Sequence, residues 1–380
     1  MSGIISAIHF TISQGINQYE KVKNIAVMKK FRRFCFGGRQ RRYDMSRKKG
    51  GTVKTLGAAI LAASSAVGKK EKEGPLGDLF DFSDPTDRFG QKTWERSESE
   101  MQRIVFSGAA GKLGIGEEDI DAVFAGDLLN QCVGSAYGLL QFDIPYFGLY
   151  GACSTCAEGL TLAAMTVSAG LYRRAASVTS SHNASAERQY RNPLEYGGQR
   201  PPTAQWTVTG AGAFIVGKAC GDASALIADV MPGVVVEKGI KDAANMGAAM
   251  APAAAQTLEC YLEDTKTSPE DYDMIITGDL GEVGSKSLYD LLERDGINIR
   301  KQHNDCGLMI FERSNQDVHS GGSGCGCAAS VLCSKIMDDF QNGIVQNILF
   351  MATGALMSPT SSGQGANIPS IAHLVNIKIK

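Results

Sequence analysis

Long apolar runs are missing from this sequence. No stretch approaches the roughly 18 consecutive apolar residues that a membrane-spanning helix needs, so a spanning protein is excluded. Histidine is scarce, with five residues, and ten cysteines are scattered along 380 positions without a disulfide-dense framework. That cysteine pattern indicates a reducing compartment. With 43% hydrophobic residues and 44 glycines, the chain is predicted to be a globular α/β protein with a sizeable core.

The small net charge hides an uneven distribution. Residues 1–49 contain twelve basic and two acidic residues, a balance of +10, whereas the rest contains 26 basic and 38 acidic residues, a balance of −12. A body this acidic repels phosphates, so we predict no nucleic-acid partner. We interpret residues 1–50 as a basic, disordered extension or a mis-assigned start of the chain. An arm for anionic lipid or nucleic acid is the alternative.

The first apolar stretch of the body has two readings. It is LGAAILAASSAVG, residues 56–68, and after a basic segment it imitates the core of a secretory signal. It is short, however, and it continues into the charged segment GKKEKEGPLGDLF without a clear cleavage context. We therefore predict a buried first strand here.

An internal repeat organises the body. The segment GEEDIDAVFAGDLLNQ returns as SPEDYDMIITGDLGEVG, and Cys153 lies 26 residues before Thr179, as Cys327 does before Thr353. Strand-like runs alternate with helix-like runs in both copies. We therefore predict two tandem βαβ-rich halves, residues 51–217 and 218–380, packed as layered sheets and helices.

A cysteine stands at a chemically sensitive place in the first half. The stretch GACSTCAEG puts Cys153 after a strand and before a helix. A helix N-terminus lowers the pKa of a thiol and supplies N–H groups that can hold an oxyanion. Cys153 is therefore either a nucleophile or the remnant of one.

Several motifs carry a family resemblance between residues 55 and 375. The duplicated body and the two cysteine turns resemble the thiolase and β-ketoacyl synthase superfamily. One branch, the stage V sporulation protein AD family of endospore-forming bacteria, is much more similar. The motifs are GKKEKEGPLGDLFD, AGDLLNQ, GACST, TSSHNASAERQYR, EYGGQ, MAPAAA, DYDMIITGDLGEVGS, HNDCGLMI, GGSGCGCAA and ATGALMSPT.

The resemblance implies a thiolase-like fold and a non-enzymatic function. Members are expected to bind dipicolinic acid, with or without calcium, for uptake into the developing spore. They are expected to lie peripherally on the cytoplasmic face of the forespore inner membrane, beside the membrane proteins of the dipicolinate channel. No cofactor is implied, and a homodimer is expected by analogy with other thiolase-like folds.

The chain departs from the pattern of the condensing enzymes. Where those relatives carry a His-Gln-Ala-Asn turn, this sequence reads Thr277-Gly278-Asp279-Leu280, and their second partner turn is replaced by Gly324-Cys325-Gly326-Cys327. Without these partners an enolate or oxyanion loses stabilisation of several kcal/mol per group. We therefore predict no enzymatic activity, with an acyl-transfer enzyme that uses Cys153 as nucleophile as the alternative.

Dipicolinate is a planar pyridine with two carboxylates, so its site needs donors and a flat slot. The polar segment after the third strand, taken as a loop, supplies an imidazole, an amide and a guanidinium. The two acids of the repeated Gly-Asp turns are duplicates, which favours a structural role, with calcium or pyridine contact as the alternative. A four-cysteine zinc site is an alternative that we do not favour, and we predict no metal. The predicted ligand-binding residues are Asp127, Cys153, His182, Asn183, Arg188, Asp279 and Cys325.

Overall fold

A computed structural model describes residues 51–190, 200–219 and 225–379, so the predicted N-terminal extension lies outside the described residues. The buried first strand is confirmed at Ala58–Val67. The described strands are β1 (Val53–Lys54), β2 (Ala58–Val67), β3 (Phe82–Ser83), β4 (Ala122–Gly126), β5 (Tyr146–Leu149), β6 (Arg174–Ser181), β7 (Trp206–Thr207), β8 (Gly210–Lys218), β9 (Ala225–Met231), β10 (Met274–Thr277), β11 (His303–Asp305), β12 (Gly322–Ser323), β13 (Asn347–Ala355) and β14 (Ser370–Ile379).

Twelve of these strands form one mixed sheet. Its main path is β11-β10-β13-β14-β9-β2-β8-β6-β4-β5, with β1 and β3 attached to β9 and β2. From the β2–β9 contact outward, the order is β2-β8-β6-β4-β5 on one side and β9-β14-β13-β10-β11 on the other. In each half the last three strands pair in parallel and the inner ones antiparallel. This symmetry is what the sequence repeat predicts.

Helices cover and separate the two halves of the sheet. The helix after Cys153 contacts strands of both halves, and the helix from Met246 packs on β13 and β14. The described helices are α1 (Lys69–Lys72), α2 (Trp94–Leu113), α3 (Val133–Leu139), α4 (Thr155–Ser168), α5 (Asn183–Tyr190), α6 (Met246–Thr265), α7 (Gly281–Arg294), α8 (Cys306–Met309), α9 (Cys325–Val331), α10 (Met337–Gln341) and α11 (Pro359–Gly363).

Helix α4 lies in the layer between the sheet halves, and its composition explains why it can. Ala157, Gly159, Leu160, Ala163 and Ala164 are all buried. Small side chains let strands approach from two directions, and the leucine fills the space between them. A cavity beside Cys153 lies at the N-terminal end of this helix.

One sequence prediction about local structure is wrong. The polar segment after β6 is not a loop at its start, because residues Asn183–Tyr190 form helix α5. The helix covers buried apolar surface with Ala186, which is 2% exposed. Only one small apolar side chain marks its inner face, so its amphipathic pattern is weak in the sequence.

Among the residues that the structure describes, no helix combines the length and the apolar character needed to cross a membrane.

Candidate functional site

A cavity opens beside Cys153, where β5 and β13 end and α5 passes over them. It holds about 540 Å³ of space that atoms do not fill, part of it open to solvent. Most of its wall is apolar, which suits a small ligand with a flat or hydrophobic body. The described lining residues are Leu128, Tyr150, Ala152, Cys153, Ala186, Glu187, Tyr190, Thr207, Met246, Ser323, Ala355, Leu356 and Met357.

The turn that presents Cys153 is tightly built. Ala152 adopts a φ of 51°, a left-handed conformation that is uncommon for a residue with a side chain. The Thr155 hydroxyl donates to the Ala152 carbonyl (2.7 Å) and accepts from the Gly151 N–H (3.1 Å). The Ser154 hydroxyl donates to the Gly151 carbonyl at 2.7 Å. These bonds hold the sulfur at the start of α4, the position predicted from the sequence.

The electrostatic surroundings of Cys153 keep it a neutral thiol. Burial raises its pKa well above the ordinary value, and the nearby Asp279 carboxyl raises it further. The nearby polar groups of Gly324 and Ser323, which are hydrogen-bonded to Asp279, act in the opposite direction and lower the pKa of Cys153. Burial and the acid outweigh these donors and the helix N-terminus, so the thiolate is disfavoured.

Asp279 lies fully buried directly behind Cys153. Its carboxylate accepts from the Gly324 N–H (2.8 Å), the Ser323 hydroxyl (3.2 Å) and the Thr353 hydroxyl (3.1 Å). Burial raises its pKa to about 7, and the nearby thiol and the hydrogen bonds from Gly324 and Thr353 lower it in part. A carboxyl with this pKa changes charge close to neutral pH.

Two tyrosines that sequence reasoning missed form one wall of the cavity. The hydroxyls of Tyr150 and Tyr190 are hydrogen-bonded to each other. Both hydroxyls also lie within hydrogen-bond distance of the Leu128 carbonyl, at 3.2 and 2.8 Å. The position of Tyr150, three residues before Cys153, was the available signal in the sequence. Tyr190 gave no comparable signal, since its place depends on the unpredicted helix α5.

His182 and Asn183 are held away from the cavity. The His182 Nε2–H donates to the Asp87 carbonyl at 2.8 Å, and its Nδ1 accepts from the Ala184 N–H at 3.2 Å. Its ring lies 5.2 Å from that of Trp94. Burial lowers its pKa, which keeps it neutral. The Asn183 amide donates to the Thr207 carbonyl at 3.1 Å. Neither side chain is part of the cavity lining.

Arg188 also points elsewhere, although it lies on the same helix as three lining residues. It forms an ion pair with Glu95, and both line a separate open cleft with Asn130 and Gln131. A guanidinium engaged in this way is not directed at the Cys153 cavity. The structure therefore does not bring Arg188 together with Cys153.

Asp127 lies in the turn after β4, whereas Cys325 packs beside Cys153. Asp127 is buried and accepts from the Ser135 N–H (2.7 Å), the Ser135 hydroxyl (2.6 Å) and the Leu129 N–H (2.8 Å). These bonds close the turn after β4, in keeping with the structural interpretation. Cys325 donates to the Ser180 carbonyl at 3.0 Å and packs in one small buried cluster with Cys153. The structure thus groups Cys153, Asp279 and Cys325.

Within the described ranges, no group of three or more His, Cys, Asp or Glu side chains is arranged to hold a metal ion.

Comparison with solved structures places this architecture among condensing-enzyme folds. The 3-oxoacyl-(acyl-carrier-protein) synthase III of Aquifex aeolicus VF5 superposes with a TM-score of 0.52 at 13% identity, covering 85% of this chain and 100% of that one. A variant of Xanthomonas campestris OleA gives a TM-score of 0.57 at 13% identity, covering 86% and 99%. At this identity the likeness shows the fold alone, and the predicted thiolase-like α/β fold is confirmed.

Comparison with sequences is more specific. The family model described as stage V sporulation protein AD (SpoVAD) matches residues 52–378. The stage V sporulation protein AD of Bacillus subtilis (strain 168) is 45% identical over 314 residues, which cover 83% of this chain and 92% of that protein. The match excludes the basic N-terminal segment and includes every element around the cavity. The chain belongs to the stage V sporulation protein AD family.

Proposed function

We propose that this sporulation protein binds dipicolinic acid, free or as its calcium complex, in the cavity beside Cys153 without chemical conversion. Binding would serve uptake of dipicolinate into the developing spore. The family membership supports the sporulation context, and the cavity supplies a partly enclosed, mostly apolar site. The ligand itself comes from the family resemblance.

The state of Cys153 is the observation that carries the non-enzymatic proposal. Its thiol is buried near Asp279, a carboxyl, and two histidines in the described part of the chain are engaged elsewhere. His182 is engaged with Asp87, and His303 lies between the Thr277 hydroxyl (3.0 Å) and the Tyr289 hydroxyl (2.8 Å). A cysteine nucleophile needs a base or an electropositive environment to form the thiolate. These surroundings favour binding over acyl transfer.

The charges of the wall bear on the form of the ligand. The described lining contains the carboxyl of Glu187 and no lysine or arginine, with Asp279 behind Cys153. A free dianion is disfavoured next to carboxylates in a partly desolvated site. The calcium complex of dipicolinate is electrically neutral, and its flat ring suits apolar walls with two tyrosines. We therefore propose the calcium complex as the form that binds more tightly.

Calorimetric titration tests this proposal directly. The full chain is titrated with dipicolinate, with and without equimolar calcium, beside Ala186→Phe and the matched control Ala366→Phe. Ala186 lines the cavity and Ala366 is exposed far along the chain. We expect at least a tenfold loss of affinity in Ala186→Phe and none in the control, with both variants still unfolding cooperatively above the titration temperature. Absence of any heat from the unmodified protein would refute the proposal.

The alternative is an acyl-transfer enzyme that uses Cys153. It is favoured by the position of the thiol at the start of α4, after the strained Ala152, on a fold shared with condensing enzymes. Incubation with acyl-CoA thioesters, followed by mass spectrometry, separates the two. We expect no acyl adduct on Cys153. Thioester turnover that disappears in Cys153→Ser would establish the enzyme instead.

We further propose that the protein acts as a peripheral component on the cytoplasmic face of the forespore inner membrane. Its partners there would be the membrane proteins of the dipicolinate channel, as the family resemblance implies. Fractionation of sporulating cells tests this directly. We expect the chain in the membrane fraction when the channel proteins are present and in the soluble fraction when they are deleted. An unchanged distribution in the deletion strain would contradict the partnership.

A further inference from the structure

The carboxylate of Asp279 accepts hydrogen bonds from a group of donors of the kind that forms an oxyanion hole. The Gly324 N–H lies 2.8 Å from one carboxylate oxygen, with the Ser323 hydroxyl at 3.2 Å, and the Thr353 hydroxyl lies 3.1 Å from the other oxygen. The turn that carries Cys153 packs against β13 next to Thr353, since a Cβ on Gly354 would lie 2.3 Å from the Gly151 carbonyl oxygen and 3.0 Å from the Ser154 nitrogen. Converging N–H and O–H groups of this kind stabilise negative charge beside a reacting sulfur in acyl-transfer sites. Here a side chain of the protein itself takes them.

The sulfur otherwise lies in a position that favours a thiolate. Cys153 precedes the 14-residue helix α4 and lines the cavity together with Ser323, so the Ser323 hydroxyl and the neighbouring Gly324 N–H, which now bond to Asp279, are the donors beside the sulfur. Each of these features lowers the pKa of a thiol. Removing the opposing carboxylate leaves donors and a helix N-terminus around the sulfur, with burial as the remaining unfavourable influence.

We propose that Asp279 is a positioning residue that holds Cys153 as an unreactive thiol by filling the anion-binding donors of the site with its own carboxylate. The site therefore retains a latent nucleophile that a single neutral substitution exposes. This inference concerns the protein's own groups and does not depend on which ligand binds in the cavity.

The symmetric partner of Asp279 provides a contrast within the same chain. Asp127 occupies the equivalent Gly-Asp turn of the first half, and its carboxylate accepts from Ser135 and Leu129 of its own turn. Its described hydrogen-bond partners do not include Ser323 or Gly324, which bond to Asp279. The same substitution therefore removes one buried carboxyl at either position but frees the donors beside Cys153 only at position 279.

Five other titratable groups lie around Cys153 in the described part of the chain. Helix α9 contributes two thiols. Helix α5 contributes a phenol, which is hydrogen-bonded to a second phenol in the same wall, and a carboxyl that lines the cavity. None of these groups is changed by the substitutions used below. They are Cys325, Cys327, Tyr190, Tyr150 and Glu187.

The test is the pH profile of alkylation by iodoacetamide, in which the sulfur forms a bond to carbon and iodide leaves. Folded full-length protein, Asp279→Asn and the matched control Asp127→Asn are compared from pH 6 to 10, and peptide mass spectrometry follows each cysteine. We expect Asp279→Asn to label Cys153 at least tenfold faster at pH 8, with its profile displaced to lower pH. The control is expected to behave like the unmodified protein at Cys153.

A structural effect has a different signature. If Asp279→Asn only loosens the fold, the described buried cysteines, among them Cys156 and Cys306, are labelled together, and the proposal is refuted. An unchanged Cys153 rate in folded Asp279→Asn, or an equal increase in Asp127→Asn, refutes it as well. If Asp279→Asn does not fold, Asp279→Ser is measured in the same way and judged by the same outcomes.

Discussion

The buried acid Glu71 makes the stability of the fold depend on pH. It belongs to helix α1, in a stretch of alternating lysines and glutamates, yet it is only 1% exposed. One carboxyl oxygen accepts from the Thr209 N–H at 3.0 Å. Burial raises the pKa of Glu71 from 4.5 to about 8, and the nearby Asp87 raises it slightly further. The folded protein therefore keeps this proton at neutral pH.

The size of the effect follows from linkage. The contribution of Glu71 to stability is complete below pH 4.5, where both folded and unfolded chains are protonated, and is lost as pH rises toward 8. Each pKa unit corresponds to about 1.4 kcal/mol. Between pH 5 and pH 8 the unfolding free energy of the unmodified protein therefore falls by about 3 kcal/mol more than that of a variant with a neutral side chain at this position. Glu71→Gln retains a carbonyl that can accept from Thr209 but carries no proton to lose.

Urea unfolding at pH 5, 6.5 and 8 measures this directly. We expect Glu71→Gln to be more stable than the unmodified protein at pH 8, and the difference in unfolding free energy to grow by about 3 kcal/mol from pH 5 to pH 8. Glu73→Gln, at an exposed neighbouring position, is expected to change little. If the unfolding free energies of Glu71→Gln and the unmodified protein differ by the same amount at all three pH values, the assignment of this pH dependence to Glu71 is refuted.

Three further changes test packing and assembly. Leu160→Ala, at a fully buried position of α4, is expected to lower the unfolding free energy by about 3 kcal/mol in urea unfolding; a loss under 1 kcal/mol would contradict the packing. At Gly326 an added Cβ would lie 2.2 Å from the Gly210 carbonyl oxygen, so Gly326→Ala is expected to cost about 2 kcal/mol or more, and an unchanged melting temperature would count against it. Phe147, 45% exposed on the edge strand β5, is proposed to face a second copy. Phe147→Glu is expected to convert a dimer into a monomer by light scattering, and an unaltered mass would argue otherwise.

The strands and the repeat could be predicted because they depend on local composition. The run Ala58–Val67 contains only aliphatic residues and two serines and no charged side chain, as expected of a strand that is mostly buried on both faces. The Gly-Asp turns after β4 and β10 stand out because each follows such a strand. Cys153 was predictable for the same reason, since its strand and helix lie on either side of it in the sequence.

The composition of the cavity could not be predicted because it depends on long-range contacts. Its wall is assembled from segments between Leu128 and Met357. Arg188 is chemically suited to a carboxylate ligand, but its nearest acid is Glu95, on a helix that the sequence did not associate with it. Glu71 shows the same limit, because a charged stretch predicts exposure, whereas this residue is buried and hydrogen-bonded to Thr209, far away in the sequence.

A crystal structure of the full-length protein soaked with dipicolinate and calcium tests the central claim most directly. The account predicts density for one planar ligand in the cavity between Tyr190 and Met357, beside an unmodified sulfur of Cys153. Density for the ligand at another site with this cavity empty, or a covalent bond to that sulfur, would contradict it.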